Sequence, residues 1–126
     1  MAERPRRIQL SRRRGWRMPP NTVKVDRSTK WGNRYRPGGS VFRAKGFGKV
    51  RDASEAVELF RRLQLPSMSD VARLRGQNLG CWCGLCERHR DGKPFDVECP
   101  DCAPCHADAL GQSANQPIRD IDRGNP

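Results

Sequence analysis

Cys81-Trp82-Cys83-Gly84-Leu85-Cys86, followed after twelve residues by Cys99-Pro100-Asp101-Cys102-Ala103-Pro104-Cys105-His106, holds all six cysteines of the chain. Cys83-x2-Cys86 and Cys99-x2-Cys102 read as two knuckles. A two-residue gap lets one tight turn aim two thiolates at a single ion, and a second knuckle closes a tetrahedron of soft ligands. Gly84 permits positive φ in the first turn. Pro100-Asp101 is a turn-forming pair in the second. The polar segment between them carries Asp91-Gly92, so a small hairpin is expected there. The expectation is a structural Zn2+ site of Cys83, Cys86, Cys99 and Cys102, in a zinc ribbon-like insertion over 83–102.

The competing reading is a disulfide framework, which an even number of cysteines would suit. However, the N-terminus is arginine-rich without an apolar signal core. Paired Cys-x2-Cys in a reducing, cytoplasmic compartment points to metal. Cys81, Cys105 and His106 are left over. Cys105 or His106 replaces one of the four ligands, or the three leftover residues bind a second metal. In the bland alternative, Cys81 is a small buried hydrophobe and His106 packs a helix. His89 reads as a solvated loop residue.

The hydrophobic fraction of 35 % is low, so the core is small and a metal staple is useful. No apolar run approaches membrane-spanning length. The formal net charge of +11 is unevenly spread: residues 1–51 hold sixteen Lys/Arg and two acids, whereas 52–126 hold nine Lys/Arg and twelve acids. A positive field concentrated in one half draws polyanions, so the expected partner is nucleic acid or a phosphorylated small molecule. The alternative is a basic surface or arm that serves solubility.

Residues 1–6 read as a flexible basic arm, 7–112 as one small α/β or α+β domain, and 113–126 as a flexible tail. Arg7–Ser11 and Thr22–Asp26 alternate as short strands, and Val41–Arg43 suits an edge strand. Lys45–Lys49 reads as a basic, glycine-containing loop. Asp52–Leu63 is the clearest helix: Asp52 and Glu55 form a capping pair, and Ala53, Ala56, Val57, Phe60 and Leu63 share a face. A short second helix carries Val71 and Leu74 inward and stops at Gly76. Leu79–Cys83 reads as a strand, and a short third helix spans Ala107–Leu110 before fraying from Gly111. The span from Val23–Asp26 to Leu79–Cys83 is long enough for a parallel crossover. This gives a short sheet with two to three helices.

Two stretches carry binding chemistry. Arg14, Trp16 and Arg17 lie in an arginine cluster with an aromatic, which suits phosphate clamping with stacking. Lys30, Trp31, Asn33 and Arg34 lie in a loop where Gly32 lets backbone approach a ligand. That loop lacks the Gly-Lys-Ser/Thr ending of a Walker phosphate loop.

Gly15–Pro20 (G-W-R-M-P-P), Thr22–Asp26 (T-V-K-V-D), Lys30–Asn33 (K-W-G-N), Leu74–Gly76 (L-R-G), Cys81–Cys83 (C-W-C) and Cys105–Asp108 (C-H-A-D) occur in this order. The chain thereby resembles, over roughly 7–112, the bacterial and phage family catalogued as domain of unknown function 4326. The resemblance implies a base pair of elements, Cys81/Cys83 and Cys105/His106, with a knuckle pair inserted between them. It brings no activity with it. It makes Lys30–Asn33 and Cys105–Asp108 candidates for a shared pocket near a strand's carboxyl end. The family pattern places Pro after the Asn of W-G-N, where this chain has Arg34.

Three functions follow as expectations. The first is a zinc-stabilised module that binds nucleic acid or a nucleotide. The second is an enzyme on such a substrate, with Cys105, His106 and Asp108 as acid/base or nucleophilic groups. The zinc-deaminase pattern is missing, since neither histidine is followed by Glu at the required spacing. The third is a structural or protein-interaction accessory protein.

Overall fold

The computed structural model describes residues 4–43 and 46–116. The first three residues of the expected arm, Lys45 of the expected basic loop, and 117–126 of the expected tail lie outside the described residues. The chain folds as an α+β domain with, among the described residues, a four-stranded mixed sheet and a separate two-stranded one. Its strands are β1 (Arg6–Gln9), β2 (Thr22–Lys24), β3 (Ser40–Arg43), β4 (Gly46–Lys49), β5 (Asn78–Cys81) and β6 (Lys93–Pro94). The α-helices among the described residues are α1 (Ala53–Leu59) and α2 (His106–Ala114).

The main sheet runs β2-β5-β1-β6. β5 pairs in parallel with both β1 and β2, so the expected crossover forms. β6 adds antiparallel to β1. The segment between the knuckles therefore extends the sheet and does not close as its own hairpin. β3 and β4 make a separate antiparallel hairpin. The glycine-rich run expected as a loop is thus a strand over 46–49, because its backbone finds a ladder in β3.

Alternation along the strands puts Arg7, Leu79, Cys81 and Val23 on one face of the sheet. α2 lies against β1 and β5 on that face. Leu79, Phe60, Val71, Leu74, Ala107 and Leu110 fill the space between. A smaller cluster of Val41, Val50, Ala56 and Leu59 joins the hairpin to α1.

α1 begins as the sequence predicts: Asp52 accepts the Glu55 N–H at 2.9 Å, and Glu55 accepts the Arg51 N–H at 2.7 Å. Its far end differs. Residues Phe60–Gln64 widen into a π-turn. The extra residue rotates Leu63 outward to 50 % exposure and carries Gln64 inward. Gln64 then grips the 30–34 loop, donating to the Gly32 carbonyl at 2.7 Å and accepting the Arg34 N–H at 2.8 Å. The segment around Val71 and Leu74 is a 3-10 turn whose two apolar residues are buried as expected.

α2 runs past Gly111 to Ala114, where fraying was expected. The reason is tertiary: Gly111 faces the Phe95 ring, and a Cβ there would stand 2.2 Å from Phe95 Cγ. Gly111→Ala should therefore destabilise the fold by about 1–3 kcal/mol through overpacking. Helix propensity alone predicts a gain of about 0.5–1 kcal/mol. Urea denaturation gives the sign; an unchanged or raised midpoint would mean that Phe95 moves aside freely.

Candidate metal centres

Cys86 precedes a 3-10 turn over Glu87–His89, closed by the His89 N–H on the Cys86 carbonyl at 3.0 Å. In such a turn residues i and i+3 eclipse, so Cys86 and His89 present their side chains together. The second knuckle closes in the same way, with the Cys102 N–H on the Cys99 carbonyl at 3.2 Å. Cys86, His89, Cys99 and Cys102 thus form one group, with all four donor atoms within 4.8 Å of one another. Zinc–ligand lengths of about 2.3 Å to sulfur and 2.0–2.1 Å to nitrogen imply tetrahedral edges of about 3.8 Å for S···S and 3.6 Å for S···N. The observed edges are 3.8 Å for Cys86–Cys99, 3.3 Å for Cys86–His89 and 3.5 Å for Cys102–His89. The geometry could hold a metal ion. The Arg88 guanidinium donates to Cys99 Sγ at 3.5 Å, and the Cys86 N–H donates to Cys102 Sγ at 3.3 Å; both favour thiolate. Desolvation raises the Cys86 thiol, but its hydrogen bonds, the Cys102 thiol first, outweigh this and bring it down to about 7.

Cys83, expected in this group, stands elsewhere. Its Sγ is 3.9 Å from Cys81 Sγ, and its thiol also interacts with that of Cys105. β5 ends at Cys81, and the bend at Trp82 and Cys83 keeps the Cys83 side chain beside Cys81 and away from Cys86. His89 takes the position given to Cys83, and the signal for it was the spacing Cys86-x2-His89. Cys81, Cys105 and His106 form a second, buried group within 4.8 Å, which could also hold a metal ion. The Cys105 and Cys83 thiols donate toward Cys81 and draw it far down, while Cys105 is pushed up by the same contacts and by burial. All six cysteines stand as free thiols in this structure, gathered in the two Cys/His groups and at Cys83.

His106 is the first residue of α2 and is 4 % exposed. Its Nε2 lies 2.6 Å from the Val25 carbonyl. A carbonyl only accepts, so Nε2 carries the proton and Nδ1 keeps its lone pair. Nδ1 faces Cys105 Sγ at 3.8 Å. Burial lowers the His106 pKa, which keeps the ring neutral. Asp108 is committed too: Arg7 Nη1 binds its Oδ2 at 2.9 Å and Lys93 Nζ lies 3.1 Å from its Oδ1. Arg7, only 1 % exposed, also donates to the carbonyls of Ala103 at 2.7 Å and Gly84 at 3.2 Å. One guanidinium on β1 therefore ties both knuckle backbones to α2. The three residues considered as catalytic, Cys105, His106 and Asp108, all have interior partners.

A family model described as a domain of unknown function (DUF4326) matches residues 8–116. The chain belongs to this family. Comparison with curated proteins and with solved structures returned no match. The span matched to DUF4326 contains both Cys/His groups and every strand and helix above, apart from the first residues of β1.

The DUF4326 chain places the expected ligand-binding residues in two regions. Trp31 is buried in the main core. Asn33 is buried as a clasp, donating to the Ala56 carbonyl at 3.0 Å and accepting the Tyr35 N–H at 2.9 Å. Gly32 permits a close approach, but to the chain itself, since a Cβ would meet Arg27 Cα at 2.5 Å. Lys30 pairs with Asp70, and Arg34 is exposed. The pocket expected between Lys30–Asn33 and Cys105–Asp108 does not form. The first loop lines a cavity of about 370 Å3 and the second borders a cleft of about 570 Å3 with no residue in common. The two motifs meet through the core, where Trp31 and Cys105 belong to one cluster.

Arg14 and Arg17 are exposed and Trp16 is half-buried, in the loop after β1. Sequence reasoning missed one neighbour of that loop, Trp82, which meets Arg12 of the arginine cluster. Arg12 lies 4.3 Å above the Trp82 ring, and Trp82 is 38 % exposed. The Trp82 indole N–H donates to Asp26 at 2.7 Å. Burial raises the Asp26 carboxyl, but hydrogen bonds from Ser28 and Trp82 outweigh it and hold the acid ionised. The loops after β1, β2 and β5 thus converge at the carboxyl edge of three parallel strands. Among the described residues, no helix is long and apolar enough to cross a membrane.

Proposed function

We propose that this chain is a zinc protein that binds nucleic acid or a phosphorylated nucleotide through its basic N-terminal half. Zinc is assigned to Cys86, His89, Cys99 and Cys102, because three thiolates and an imidazole at tetrahedral edges are a donor set that zinc prefers. The observation that carries the polyanion reading is Arg12 stacked on the exposed face of Trp82, beside exposed Arg13, Arg14 and Arg17. An indole that already carries a guanidinium offers a stacking surface for a base and a charge for its phosphate. Its place at the carboxyl edge of parallel strands is the usual ligand position in such sheets.

The test is fluorescence anisotropy with a labelled single-stranded oligonucleotide and, separately, a labelled mononucleotide, each titrated with salt. Affinity should fall steeply as ionic strength rises, because phosphate contacts release counterions. Trp82→Ala should weaken binding about 5- to 100-fold, corresponding to roughly 1–3 kcal/mol per stacked base. Trp82→Phe should recover part of the loss, with zinc content unchanged. Affinity that stays flat across ionic strength, or is indifferent to Trp82→Ala, would sink the reading.

A further inference from the structure

We infer that the chain holds a second thiophilic divalent ion, buried between β5 and α2 and bound by Cys81, Cys83, Cys105 and His106. Three independent features carry this. The first is distance. Cys81–Cys83 at 3.9 Å and Cys105–His106 at 3.8 Å lie close to tetrahedral edges of about 3.8 Å for S···S and 3.6 Å for S···N. The second is the tautomer. The Val25 carbonyl holds the Nε2 proton and leaves the Nδ1 lone pair facing the thiols. A ligating histidine is commonly oriented in this way by a backbone carbonyl behind it.

The third is burial. Cys81, Cys105 and His106 are 6 %, 2 % and 4 % exposed, and their donor atoms lie within 4.8 Å of one another. Cys83, 3.9 Å from Cys81, supplies the fourth donor as its side chain closes on the ion. Arg7 reaches the site through the Cys83 and Gly84 carbonyls. The set has four protein donors and no open position, so the ion is structural. It joins the end of β5 to the start of α2, whereas the ion of the proposed zinc site joins only the two knuckles.

Native mass spectrometry of the full chain, reconstituted with zinc under reducing conditions, reads the two sites separately. The wild type should carry two zinc equivalents, Cys99→Ser one, and Cys83→Ser one. Cys83 is half-exposed, so its substitution is the mild probe; His106→Gln is the second variant and should also retain one. Cobalt loading should give thiolate charge-transfer intensity in the wild type that falls by about half in each variant. One equivalent in the wild type that persists in Cys99→Ser and is lost in Cys83→Ser would support this site and overturn the outer one. One equivalent lost in Cys99→Ser and kept in Cys83→Ser would overturn this site and leave the outer assignment standing. No zinc in the wild type would overturn both.

Discussion

Cys86→Ser should abolish the proposed outer zinc site and unfold the segment that the ion would hold. Between Gly84 and Pro104 the packing is thin: Lys93, Phe95 and Cys102 are its buried residues. An ion at the proposed site would replace a core that this segment does not have. Structural zinc in isolated finger peptides contributes on the order of 10–16 kcal/mol at neutral pH. That is an upper limit here, because the sheet and α2 keep a core of their own. A loss of several kcal/mol is expected, seen as a fall in melting temperature of on the order of 10 °C or more. Added zinc should raise the melting temperature of the wild type more than that of the variant, which keeps only the inner site. Trypsin should cut the variant first at Arg88 and Arg90, which lie between the knuckles; Lys93 precedes Pro94 and resists cleavage. A variant that keeps its zinc and resists trypsin would mean that Cys86 is not a ligand.

Arg7→Met is the second large effect. The guanidinium satisfies Asp108 and two knuckle carbonyls from a position with almost no solvent access. Removing one partner of a buried pair costs about 3–5 kcal/mol, because the other partner stays buried. Lys93 still faces Asp108, which places the expected loss toward the lower end of that range. Arg7→Lys should restore only part of it, since one ammonium cannot reach a carboxylate and two diverging carbonyls at once. The control is Arg4→Ala, which breaks the exposed pair with Asp96 and should change stability by less than about 1 kcal/mol. Urea denaturation of the three variants under zinc-replete conditions makes the comparison. A loss below about 1 kcal/mol for Arg7→Met would show that water takes over its contacts.

Much of the frame was legible in the sequence because it rests on local rules. Alternation gave β1 and β2, the Asp52–Glu55 pair gave the start of α1, and chain length allowed the parallel crossover. Knuckle spacing gave the convergence of Cys86, Cys99 and Cys102. What escaped depends on long-range packing or on departures from regular geometry. β6 is two residues long and has no periodicity; it exists because β1 offers an open edge. The π-turn at Phe60–Gln64 shifts the helical phase, so Leu63 and Gln64 exchange roles relative to a regular helix. Cys83 and His89 exchange places for the same kind of reason. Counting Cys-x2-Cys pairs ignores that the bend after β5 keeps Cys83 beside Cys81, and that a 3-10 turn brings His89 beside Cys86. The Trp82–Arg12 contact joins residues far apart in sequence, and no local pattern marks it.

β1 has a further consequence, for the order in which the chain can fold. It lies inside the sheet, but its neighbours are β5 and β6, which come more than seventy residues later. During synthesis the first strand therefore has no partner until nearly the whole domain has left the ribosome. Long-range pairing of this kind slows folding, because a large loop must close before any contact rewards it. Closure of the main sheet waits for the cysteine-bearing segment, whereas the β3–β4 hairpin and α1 rest on local contacts and need not wait for it.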